Sequence, residues 1–206
     1  MEIKRKKFQG VLNILSFNRH FYIYGLFVLT LIFISYLTFN WSAILFWSLV
    51  IAFIYGMLMP LLVSAYVYDF SGYYDFDWLK KIDLKDAKQL ININAGFDET
   101  SFIIKNQFPN SNLEVFDFYN ADKHTEKAIV RAREVNLVYP NTQLIKSDSI
   151  PIKEDSVDAV FLLSAVHEIR CHKEKIVFLK ECFRICKPNG RIIMVEHLRD
   201  FPNFIA

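Results

Sequence analysis

Four short stretches of this 206-residue chain carry side chains suited to holding and reacting a small ligand. The first is LININAGFDETS, residues 90–101. Gly96 there permits a tight turn and a close backbone approach, and Asn94 tolerates left-handed backbone better than most residues. The second stretch is LEVFDFYN, which places Asp117 21 residues after Gly96. A carboxylate at that spacing can accept hydrogen bonds from both hydroxyls of a ribose. The third, KSDSIP, offers Ser147 and Asp148. The fourth, SAVHEIR, offers His167 and Glu168. An imidazole is the side chain most often used to move protons near neutrality; the alternative is that both residues only pack or cap a following helix.

These residues matter only if the fold brings them to one rim. From residue 87 onward, short apolar runs alternate with helical patterns. Strands are expected at Gln89–Asn94, Asn112–Phe116, Thr142–Lys146, Ala159–Leu163 and Arg191–Val195. Each is apolar and bounded by polar residues, as buried parallel strands are. Helices are expected at Ser101–Gln107, His124–Val135 and Lys173–Cys186, the last burying Ile176, Leu179, Phe183 and Cys186. KPNG, residues 187–190, stops that helix and turns the chain into the last strand. Strand–helix alternation of this kind predicts an α/β doubly wound parallel sheet. In such a sheet all four stretches fall at or after strand ends, where ligands bind.

DSVDAVFLLSAVHEIR, followed by FLKECFRICKPNGRIIMVEH, resembles the second half of a class I S-adenosylmethionine-dependent methyltransferase. The resemblance covers roughly residues 85–200 and implies a Rossmann-like methyltransferase fold with S-adenosylmethionine as cofactor. The family's first loop reads acidic-x-Gly-x-Gly-x-Gly. Laid on this chain, Asn92 takes the acidic position and Asn94, Gly96 and Asp98 take the glycine positions. The central glycine is kept. Asn92 lacks the charge that would help hold the cofactor's ammonium group, which Asp98 or Glu99 is placed to supply. The resemblance implies cofactor contacts from Asn92, Asn94, Gly96, Asp98, Asp117, Ser147 and Asp148. It implies in-line methyl transfer, with His167 as the base if the acceptor must lose a proton. His197 and Arg199, in EHLRD, are second candidates.

The first third of the chain is of another kind. From Phe21 to Tyr68 there is no Asp, Glu, Lys, Arg or His. Two apolar runs, Phe21–Phe39 and Ile44–Ser64, flank the short break NWSA. Each has about the 20 residues that cross a bilayer core as helix. No small-residue cleavage site separates them, which argues against a signal peptide. Pro60 lies inside the second run, where a membrane helix tolerates it. Lys4, Arg5, Lys6, Lys7 and Arg19 precede the first run, so the N-terminus is expected in the cytoplasm. A hairpin returns the chain to the same side. The expected division is therefore a basic N-terminus and transmembrane hairpin over 1–68, an interfacial linker or lid over 69–86, and a methyltransferase-like domain over 87–206. The expected location is the cytoplasmic (inner) membrane, multi-pass, with the bilayer and a small lipophilic acceptor as partners. The competing expectation is a non-catalytic membrane scaffold or binding module on the same fold.

Charge and cysteine usage add little. The net charge of +2 gives no ground for a nucleic-acid partner, because the basic cluster has a membrane explanation. Cys171, Cys182 and Cys186 fit a reducing compartment and match no strong metal-ligand spacing. They are expected as small apolar residues, with no metal site. Only about ten residues follow Val195, fewer than the helix and two strands with which the family's sheet continues. The last strand is thus expected at a sheet edge, which a missing segment or a second copy of the chain would cover.

Overall fold

A computed structural model describes residues 5–123, 127–135 and 137–196. The chain divides into two units, Arg5–Asp75 and a second that begins at Phe76.

The first unit is helical. Its elements are α1 (Gln9–Phe17), α2 (Arg19–Phe39) and α3 (Ala43–Ser64). A π-helical segment, Ala65–Phe70, prolongs α3, and a 3-10 turn follows at Tyr73–Asp75. The helices α2, and α3 with its continuation to Asp75, are long and apolar enough to cross a membrane. Only 6% of either apolar window is buried, which separates them from the core helices of a soluble fold. Within the hairpin, Tyr36 stacks on Phe46 with ring centroids 4.1 Å apart. Gly25 faces Met57 so closely that an added Cβ would lie 2.9 Å from its sulfur.

The short helix α1 has no counterpart in the sequence-based expectation. Its first-turn N–H groups are satisfied from a distance. The Asp69 carboxylate accepts from Gly10 N–H at 2.9 Å and from Val11 N–H at 3.3 Å. A negative group at a helix N-terminus is stabilising in just this position. Gly10 is required there, since a Cβ would come within 2.6 Å of Tyr68 Cβ.

The second unit is the α/β domain. Its strands are β1 (Gln89–Asn94), β2 (Asn112–Asp117), β3 (Gln143–Leu144), β4 (Val157–Leu163) and β5 (Cys186–Val195). They form one parallel sheet in the order β3-β2-β1-β4-β5. The helices are α4 (Ser101–Gln107), α5 (Lys127–Val135) and α6 (His172–Ile185). β1 keeps its expected bounds, β2, β4 and β5 are longer than expected, and β3 is reduced to a two-residue pairing. The expected start of the second helix, residues 124–126, lies outside the described residues.

The strand order reverses beside β1. The β1→β2 connection steps one way and β4→β5 the other. Right-handed crossovers therefore place α4 and α6 on opposite faces. Alternation along the strands then sorts the side chains. Ile91 and Ile93 of β1, Phe116 of β2, and Val160 and Leu162 of β4 pack with Phe178, Cys182 and Ile185 of α6. The residues between them, including Asn92, Asn94 and Asp117, point to the α4 face. This alternation is why polar side chains enter an otherwise apolar sheet without disturbing its main core.

Two expectations about the last helix are corrected. The buried stripe of α6 is Phe178, Cys182 and Ile185. Ile176 is 42% and Phe183 71% exposed. The i, i+3, i+4 pattern fits both stripes, and the one carrying the fully buried phenylalanine faces the sheet. KPNG does not form a separate turn. Cys186 already pairs with Val157, and Arg191 with Ala159, so residues 187–190 bulge out against the single residue Asp158. Burial pushes the Asp158 carboxyl up, but Lys187, which reaches back to it at 2.6 Å, and the N–H groups of Gln89 and Lys88 together hold it below its usual range. As expected, β5 lies at the sheet edge among the described residues. Pairing of residues 201–206 along it lies outside the described residues.

Candidate functional site

The register of β1 and β2 sets Asn94 directly beside Asp117, the last pair on the carboxyl rim. The chain then turns at Gly96, with φ +96°. The Asn94 side chain builds that turn: its Oδ1 accepts the Gly96 N–H at 3.2 Å. Asp98 does the same one step later, its Oδ1 accepting the N–H groups of Thr100 and Ser101, both at 2.9 Å. This caps the start of α4 from within the loop. Asn92 anchors the strand to that helix, donating to Thr100 Oγ at 3.1 Å and Ser101 Oγ at 2.8 Å.

Each of these three side chains has one atom left over. Asn92 Oδ1, Asn94 Nδ2 and Asp98 Oδ2 are buried without a hydrogen-bond partner. An unsatisfied buried polar group costs about 1–3 kcal/mol, so a water or a ligand that reached these atoms would be stabilising. Asn94, Gly96, Asp98 and Asp117 line one cavity of about 250 Å³ with Arg133, Tyr139 and Thr142. Asn92 lies outside the lining and is 1% exposed. Burial raises the Tyr139 phenol, and the charge of Asp98 adds to it.

Asp117 is already engaged. Its Oδ1 accepts the Tyr119 N–H at 2.8 Å, and its Oδ2 pairs with Arg133 Nη1 at 2.7 Å. The guanidinium carbon of Arg133 lies 4.0 Å from the Tyr119 ring centroid. Arg133 was not singled out by the sequence. It sits in the helix returning from β2, where a basic residue reads as ordinary solvated surface.

The remaining expected residues do not join this cavity. Ser147 donates to Glu174 Oε1 at 2.5 Å, and the same carboxylate pairs with Lys123 Nζ at 2.8 Å. Asp148 is exposed on the same turn. His167 lies past β4 in a 3-10 turn, Val166–Glu168. Its Nδ1 is 2.7 Å from Glu196 Oε2 and its Nε2 is 3.3 Å from Glu168 Oε1. Glu196 also accepts the Val166 N–H through its other oxygen. Hydrogen bonding to Glu168 and then Glu196 raises the imidazole to about 9. This favours the protonated imidazole at neutral pH over the neutral form that a base requires. Glu196 precedes the EHLRD histidine in sequence; His197 and Arg199 lie outside the described residues. Cys182 is a buried apolar contact, its thiol pushed up to about 12 by burial.

A second, larger cavity of about 830 Å³ opens at the opposite end of the sheet. Gln89 and Asn112, the first residues of β1 and β2, line it with Phe76, Leu79 and Phe108. It holds none of the predicted site residues.

Solved structures similar to this chain include the YcgJ protein from Bacillus subtilis, at 19% identity over 66% of this chain and 54% of that one, with a TM-score of 0.43. A SAM dependent methyltransferase from Aquifex aeolicus is 22% identical over 63% of this chain and 70% of that one, with a TM-score of 0.39. The PH0226 protein from Pyrococcus horikoshii is 18% identical over 58% of this chain and 55% of that one, with a TM-score of 0.38. The chain thus spans only about half the length of two of these three. No curated protein matches the chain. A family model described as "Methyltransferase domain" matches residues 110–194. The match begins after β1 and the Gly96 loop. It marks similarity to a methyltransferase domain over those residues of the second half of this chain.

Proposed function

We propose that this protein is a membrane-anchored S-adenosylmethionine-dependent methyltransferase acting on a lipophilic acceptor at the cytoplasmic face. The observation that carries the cofactor half of this reading is a pair of unsatisfied buried atoms on two residues that line the rim cavity. Asn94 Nδ2 is a donor and Asp98 Oδ2 an anionic acceptor. These are the complements of a carboxylate and an ammonium, the two charged groups of an amino-acid moiety. Asp117 beside them is the acceptor for ribose hydroxyls. The fit supports the cofactor although three of the family's loop positions are changed.

S-adenosylmethionine supplies, when bound, a methyl group on a sulfonium. The residues of this chain contribute positioning, which is most of what such a transfer requires. Asn94, Asp98 and Asp117 hold and orient. The Gly96 turn allows backbone close to the ligand. His167, cationic between two carboxylates, acts at neutral pH as a fixed element of the acceptor-side rim. Its role as a base is favoured as pH rises toward about 9.

The acceptor half rests on the apolar hairpin. The chain joins it to the α/β domain without a long spacer, so the domain works next to a bilayer if the hairpin inserts. An acceptor dissolved in lipid then need not be extracted into water. Isoprenoids, quinone precursors and phospholipid headgroups meet this description. One observation favours a second reading, a non-catalytic membrane scaffold: Arg133 and Tyr119 occupy the approach to Gly96. The experiment that separates the two incubates purified full-length protein with native membrane lipids and methyl-labelled cofactor. Label entering a lipid-soluble product supports the enzyme. Absence of label from every lipid fraction, with cofactor bound, favours the scaffold.

A further inference from the structure

Two features of the rim concern the same guanidinium. Arg133 Nη1 pairs with Asp117 Oδ2 at 2.7 Å, so it takes the oxygen on which a ribose hydroxyl would dock. It also stands over Gly96. A Cβ built there would lie 2.9 Å from Arg133 Nη1 and 2.8 Å from the Tyr119 ring. The space that this glycine leaves open is filled by the chain's own side chains. The cavity reflects this. At about 250 Å³ it is smaller than the roughly 300–1,000 Å³ typical of small-molecule sites.

We propose that Arg133 sets cofactor affinity in this protein by competing with the ribose for Asp117. The inference rests on the cofactor reading above. The Arg133 side chain is 33% exposed and that of Asp117 only 9%. The arginine therefore has a path into solvent, while the carboxylate stays in place to receive the ligand. Departure of the guanidinium uncovers the carboxylate oxygen and the face of Gly96 together. The apparent affinity is then the intrinsic affinity reduced by the fraction of molecules in which Arg133 has already left. A fixed structural role for Arg133 would predict the opposite sign, since removing it would leave Asp117 poorly oriented.

The test is calorimetric titration of full-length protein in detergent with S-adenosylmethionine, for wild type, Arg133→Met and Arg133→Lys. Methionine keeps the aliphatic bulk without the charge. Arg133→Met is expected to bind about tenfold more tightly, equivalent to a competent fraction of roughly one in ten. Arg133→Lys keeps a charge but not the flat stacking on Tyr119, and is expected to fall between; it also decides the matter if Arg133→Met does not fold. Melting gives an independent readout. Arg133→Met should melt lower than wild type without cofactor and gain more from saturating cofactor. Equal or weaker binding by both variants, with wild type binding, overturns the competition and leaves the cofactor reading intact. No binding by any folded variant overturns both.

Discussion

At the residue scale, the chemistry of the rim is set by which polar atoms find partners. The Gly96 turn and the Asp117 carboxylate were legible in the sequence because spacing and strand ends fix them. The Arg133 contact was not. It depends on how far a long side chain on α5 reaches, and no local pattern encodes that. His167 was legible by position but not by state. Its two carboxylate neighbours are Glu168, next in the chain, and Glu196, which follows β5, and only the fold brings the second to it. A sign follows for pH. The imidazole is raised from about 6.5 when unfolded to about 9 when folded. The folded state therefore holds this proton more tightly. Its stabilisation is complete below about pH 6.5 and is lost as pH rises through about 9. His167→Gln should lower the melting temperature at pH 6 and leave it close to wild type at pH 10. Equal losses at both pH values would mean that the ion pairs contribute nothing. A turnover profile that rises toward pH 9 in wild type, and flattens in the variant, would mark His167 as the base after all.

At the element scale, strand–helix alternation gave the parallel sheet, because short apolar runs between polar bounds have few other homes. The α6 face was misjudged for a physical reason. Two overlapping apolar stripes run along that helix, and amphipathicity alone does not say which meets the sheet. The difference is measurable. Phe178, fully buried among Phe118, Cys182 and Ile185, should cost about 3–5 kcal/mol when cut to alanine. Phe183, largely exposed, should change stability by no more than about 0.5 kcal/mol. Chemical unfolding of the two variants checks this. A larger loss at Phe183 would restore the stripe expected from sequence. The contact of Asp69 with the first turn of α1 lay beyond sequence reading too, since it joins residues far apart in the chain.

At the scale of the whole molecule, an apolar helical unit is followed by an α/β domain whose second half matches a methyltransferase. The uncharged stretch made the two long apolar helices of the first unit legible, since length and apolarity are what a spanning helix shows in sequence. If the hairpin inserts with its basic N-terminus inside, both ends of the chain are cytoplasmic. Single cysteines introduced after residue 85, in a background without native cysteines, should stay unlabelled by an impermeant reagent until cells are opened. Labelling in intact cells would reverse the topology. The enzymatic reading stands or falls on the rim of the second unit, and there the most direct measurement is equilibrium dialysis of full-length protein with labelled S-adenosylmethionine, beside Asp117→Ala. Hydrogen bonds to a charged group contribute roughly 1.5–3 kcal/mol. The account predicts saturable binding by wild type and binding about one to two decades weaker in the variant. Folded wild type that binds no cofactor, or a variant that binds as well as wild type, would contradict it.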